Sequence, residues 1–164
     1  MVIDMRKLFA LLACVVLAST LAASSASANT TVDFQATFPE RFGVTCANPP
    51  SLCSQGEVVG FGHVEELVRF DVCGPNCNLR TLTFADGSKL VLQESTGLGA
   101  PPDGGNSFNP KSNGNPVFFP LAGTVRGDLS TGDFAGATGT YSGIATVAGG
   151  VAVVRLSGSI TLAS

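Results

Sequence analysis

Alternation with a period of two runs through most of this chain, and no stretch carries a convincing helical period. On an extended backbone successive side chains point to opposite faces, so such a pattern predicts strands with one face in a core. Val32, Phe34, Ala36 and Phe38 share one face, and Pro39 is expected to stop that run. Over 63–72, Val68, Phe70 and Val72 oppose Arg69 and Asp71, with Leu67 out of step. Leu82 and Phe84 oppose Thr81 and Thr83; Asp86-Gly87 then supplies a hairpin turn, and Leu90 and Leu92 lie on the return strand. Further strands are expected over 116–126, with Pro120 at a bulge or an edge, then over 141–148 and 150–156 around Gly149-Gly150, and over 158–162. About eight short strands joined by tight turns predict a single antiparallel β-barrel, with a β-sandwich as the alternative. A barrel suits an exported chain because closure leaves no edge to aggregate.

Export itself is read from the N-terminus. Arg6 and Lys7 form a basic start, 8–18 is an apolar run, and 19–28 is small and polar, ending Ala26-Ser27-Ala28. This is the organisation of a secretory signal peptide, with cleavage expected after Ala28. The apolar run is shorter than the roughly 20 residues needed to cross a bilayer. Leu11-Leu12-Ala13-Cys14 also reads as a lipobox, but the apolar run continues past Cys14 to a better cleavage site. Removing 28 of the 164 residues leaves 136, enough for one domain, 29–164. The expected location is secreted or periplasmic.

Without Asp4, Arg6 and Lys7, nine basic and twelve acidic residues become seven and eleven, a net charge of −4. No basic cluster is present, so nucleic acid is not expected as a partner, and no membrane association is expected after processing. Four cysteines remain: Cys46, Cys53, Cys73 and Cys77. In an oxidising compartment an even number reads as two disulfides. Of three possible pairings, Cys46–Cys53 and Cys73–Cys77 is preferred, since short loops close easily and each brackets turn residues. A zinc site is the rival, but the intervening lengths of 6, 19 and 3 residues are unlike the usual tight pairs, and no metal or other cofactor is expected.

Residues 96–115 are rich in Gly, Pro and Asn and read as a long loop. Loops of this length are either solvated or functional. Asp103-Gly104-Gly105-Asn106 within it has some calcium-loop character but lacks the spacing and final glutamate of an EF-hand. His63 is the only histidine, and no Gly-x-Ser-x-Gly elbow accompanies it. Glu65 and Glu66 are adjacent, so on a strand they face opposite ways and cannot act as a pair. Glu94, Asp128 and Asp133 fall near turns, and a glycosidase pair drawn from them is the functional reading set against plain surface charge. Arg69 and Arg155 lie in strands, where an outward position avoids burying a lone charge.

One stretch is more specific. Thr131-Gly132-Asp133-Phe134-Ala135-Gly136-Ala137-Thr138-Gly139 precedes Tyr141, Gly143 and then Leu156-Ser157-Gly158-Ser159-Ile160. This resembles the late glycine-rich turn and strand pair of the allene oxide cyclase and dirigent barrel superfamily. The 84–90 hairpin is similar to that of small exported bacterial relatives, and the resemblance spans about 57–162. Physically, Phe134 can plug a barrel end while Gly132, Gly136 and Gly139 let the backbone curve. The resemblance implies a barrel and, for some members, cyclisation of an epoxide in an apolar cavity or orientation of radical pairs. No catalytic residue can be assigned, so two functions are expected. One is a non-catalytic exported barrel that binds a small apolar ligand or a cell-surface component. The alternative is an isomerase or cyclase acting inside the barrel, with Tyr141, Arg155 and Glu94 as candidate ligand-binding groups.

Overall fold

The computed structural model describes residues 29–41, 51–97 and 116–164. The expected signal peptide, Cys46 and most of the 96–115 loop, including Asp103-Gly104-Gly105-Asn106, lie outside the described residues.

Eight antiparallel strands close into one barrel in simple chain order: β1 (Thr30–Arg41), β2 (Ser51–Val58), β3 (Gly62–Arg69), β4 (Cys77–Phe84), β5 (Lys89–Thr96), β6 (Val117–Val125), β7 (Thr138–Ala148) and β8 (Val151–Leu162). The sheet closes through β1 and β8, whose ladder runs from Thr30↔Leu162 to Arg41↔Val151. The expected barrel is the observed fold.

The turns explain the connections. Gly87 sits at positive φ in the β4–β5 hairpin, and its N–H donates to the Phe84 carbonyl at 3.0 Å. Gly149 and Gly150 both take positive φ, as the tightest hairpin turns require. Phe134 lies in a single 3-10 turn between β6 and β7 and is 2% exposed. It stacks on Phe84 with ring centroids 4.7 Å apart and tilts against Phe61 at 5.4 Å. These three rings plug one end of the barrel, called here the aromatic end. The opposite end carries Glu40, Asn78 and Thr96 and is called the polar end.

Several strand assignments need correction. β1 does not stop at Pro39; it continues to Arg41 along β8. What ends there is the β1–β2 ladder, which pairs only Ala36↔Val58 and Thr37↔Glu57. Proline has no N–H to donate, so it is tolerated where a strand loses one neighbour. Pro120 follows the same rule: β6 pairs with β7 from Val117 onward but with β5 only from Leu121. The strand expected over 63–72 ends at Arg69, because Asp71 adopts φ 54° and the chain turns into the Cys73–Cys77 ring, leaving Val72 exposed. The segments 150–156 and 158–162 are one strand, β8, while β2 was not foreseen. The strand total matches because a missed strand offsets a split one.

Of the two expected disulfides, Cys73–Cys77 is formed. Cys53 is also disulfide-bonded, and Cys46, its expected partner, is not among the described residues.

Candidate functional site

Inward positions of a barrel strand recur every second residue. On β4 these are Asn78, Arg80, Leu82 and Phe84; on β5, Leu90, Leu92 and Glu94; on β3, Val64, Glu66 and Val68; on β1, Phe34, Ala36, Phe38 and Glu40. The lumen is therefore divided. Toward the aromatic end it is filled by Phe, Leu, Val and Ala. Toward the polar end four charged side chains meet.

Arg80 is the centre of that cluster. Its Nε and Nη2 donate to the two carboxylate oxygens of Glu94 at 3.1 and 3.0 Å, a bidentate pair. Its Nη1 donates to Glu40 at 2.8 Å and also to Glu66. The guanidinium lies 5.4 Å from the Phe38 ring centroid, where the apolar filling begins. Ser54 Oγ donates to Glu66, and the Tyr141 hydroxyl donates to Glu94 at 3.4 Å. Room for Tyr141 comes from Gly123, paired with both Glu94 and Tyr141: a Cβ there would collide with the Tyr141 hydroxyl. Asn78 ties this level to the turn above, accepting from the Asp71 N–H at 3.1 Å and donating to Thr96 at 2.9 Å.

The electrostatics are lopsided. One cation faces three carboxyls, all within a lumen where Arg80, Glu66 and Glu94 are each 2% exposed and Glu40 is 5%. Burial pushes Glu66 up to about 7; Arg80 opposes the rise and Glu40 adds to it. Glu40 is also raised, again by burial first, against the pull of Arg80. Burial works against the charge on Arg80, yet Glu66, Glu94 and Glu40 outweigh it and hold its pKa well above the ordinary value. Tyr141 is raised by burial and by Glu94. The cluster thus has a permanent cation and a carboxyl that exchanges its proton near neutrality, the property expected of acid–base groups.

Solvent does not reach it. Every buried side-chain nitrogen and oxygen among the described residues has a partner. Inward side chains such as Phe38, Leu82, Leu90 and Leu92 are fully covered, so no water-sized chamber adjoins them. A cleft of about 630 Å³ on the outer wall is lined by Pro39, Ser54, Gln55, Glu65, Glu66 and Thr83, among others. It stops short of the acid, since the Glu66 side chain has no exposed surface.

Of the candidate groups, Tyr141 and Glu94 are brought together inside the barrel. Arg155 is not: it points outward beside Ile144 and Thr37, in an open groove of about 410 Å³. Arg69 is outward as well, and Glu65 and Glu66 do face opposite ways. His63 is exposed, 3.7 Å from Glu57. Asp128 is exposed and paired with Arg126 at 2.6 Å, and Asp133 is exposed, so neither joins Glu94 in a carboxylate pair. Among the described residues no group of three or more potential ligands is arranged to hold a metal. Sequence reasoning missed Arg80, Glu40 and Glu66 as interior groups, although each is in phase with the apolar face of its strand.

Comparison of the chain with protein families, with curated proteins and with solved structures finds no match to any of them.

Proposed function

We propose that the mature chain is an exported, non-catalytic β-barrel that uses its lumen as a core and meets a cell-surface or protein partner through its outer wall. The observation that carries this reading is the filled lumen: apolar side chains occupy one half, and a mutually satisfied ion cluster occupies the other. Export rests on the signal-peptide pattern at 1–28 and is supported by the Cys73–Cys77 disulfide. The outer wall over β7, β8 and β1 carries a band of hydroxyls, with Thr140↔Ser159 and Ser142↔Ser157 in register and Thr31 bonded to Thr161 at 2.8 Å, beside the exposed Ile144 and Val151. The hydroxyl band is the part of this wall that suits a polar partner.

The alternative is an isomerase or cyclase acting on an apolar substrate in the barrel. It draws support from the Glu66 acid, which titrates near neutrality in a cluster with Tyr141, and it requires a chamber opposite that acid. Native mass spectrometry of protein purified from its own source separates the two. The expected species is the bare chain beginning at Asn29. A stoichiometric small molecule, lost on denaturation, would overturn the filled-lumen reading and favour the alternative.

A further inference from the structure

Two carboxyls share one donor in the Arg80 cluster. Glu40 and Glu66 both accept from Arg80 Nη1, while Glu94 takes the other side of the guanidinium. With all three ionised, the lumen would hold an uncompensated charge of −2 in a site that excludes water, which is costly. A proton on Glu40 or Glu66 removes half of that excess and gives the pair one acid and one carboxylate.

The three carboxyls are not equally tethered. Glu66 lies on β3, laddered on both sides to β2 and β4, and Glu94 lies on β5, laddered to β4 and β6. Glu40 lies on the part of β1 beyond Thr37, where β8 is the only paired neighbour among the described residues and Pro39 has no N–H. Across the lumen, this strand end is held by the Glu40–Arg80 ion pair and by the buried Phe38 ring, 5.4 Å from the same guanidinium. Repulsion within the cluster is therefore relieved most easily by moving Glu40.

We propose that the Arg80 cluster is a proton-operated latch: a proton held between Glu40 and Glu66 keeps the polar end closed, and its release to solvent frees the 38–41 end of β1 from the lumen. Among the described residues, the charged and titratable groups facing this pair are Arg80 from β4, Glu94 from β5 and Tyr141 from β7. From β2 it meets the uncharged Ser54, and from β8 the apolar Ala152 and Val154. No second cation is present in that set to replace the proton. The rise of both carboxyls through burial supports the same assignment. The device needs no ligand and is independent of what the outer wall binds.

Amide hydrogen exchange on the mature, oxidised protein tests it. Protection factors of the β8-bonded amides in 38–41 should fall about tenfold between about pH 6 and about pH 8.5, after correction for intrinsic exchange. At both pH values they should stay below the protection of Leu92 in the core. Glu66→Gln, which mimics the protonated acid, should abolish the fall. Unchanged protection with pH, an equal fall in Glu66→Gln, or protection equal to that of Leu92 would overturn the latch. If that variant does not fold, carboxyl-carbon titration of the wild type decides: a proton retained by Glu40 or Glu66 above about pH 6 supports the proposal, and both ionised below about pH 5.5 sinks it.

Discussion

Replacing Arg80 by Met removes the one cation that the described residues place in the lumen, while keeping a side chain of similar length. Glu40, Glu66 and Glu94 are then left without a counter-charge in a site where each is at most 5% exposed. They escape by taking protons. Holding a carboxyl of ordinary value 4.5 neutral at about pH 7 costs on the order of 3 kcal/mol, at 1.36 kcal/mol per pH unit. Glu66 already carries much of that cost in the wild type, so the added burden falls on the other two. Because relaxation and water entry soften it, the expected loss is about 3–5 kcal/mol, the range found when one partner of a buried pair is removed. The sign with pH follows from linkage. Carboxyls whose folded pKa is raised stabilise the fold below their unfolded value, and that contribution is lost as pH rises through the folded value. The Arg80→Met penalty should therefore shrink to about 1 kcal/mol near pH 5 and grow toward pH 8. Urea denaturation at three pH values, followed by far-UV circular dichroism, measures this directly. A penalty that is the same at every pH, or below about 1 kcal/mol at neutrality, would refute the charge argument and reduce Arg80 to packing.

Two further outcomes are expected. Phe134→Ala should cost about 3–5 kcal/mol and lower the melting temperature by roughly 10 °C, since it unplugs the aromatic end against Phe84 and Phe61; a loss under about 1 kcal/mol in thermal melts would show the plug to be superficial. Tyr141 is the only tyrosine and Trp is absent, so absorbance at about 295 nm reports on this side chain alone. With its pKa raised by burial and Glu94, tyrosinate should appear only as the barrel unfolds in alkali, and ionisation of the folded protein near the ordinary value would place the ring outside the cluster.

The barrel was legible because its signals are local. Asp86-Gly87 and Gly149-Gly150 name their turns, and alternation names the inner face between them. The cluster was harder to read, for two distinct reasons. Arg80 falls in phase with Leu82 and Phe84, a signal that the reading of that strand passed over; what the sequence does not display is that Glu40, Glu66 and Glu94, on three other strands, arrive at its level. Glu40 was hidden behind Pro39, read as the end of a strand when only one of its two ladders ends there. Glycines 56 and 123 carried a related message. Each is a position where a Cβ would meet an inward aromatic ring, Phe38 or Tyr141, and the sequence shows the gap without showing what fills it.

The seam that completes this molecule joins its first strand to its last. Thr30 is paired with Leu162, so the rung that shuts the cylinder is made between residues separated by nearly the whole domain. The other seven ladders join strands adjacent in the chain and can form one hairpin at a time. Until β8 has been synthesised, β1 lacks the neighbour that runs its full length and keeps only two residue pairs with β2. A nascent chain of this kind therefore stays an open ribbon until its last strand is made, and the order of the strands alone sets when the cylinder can shut.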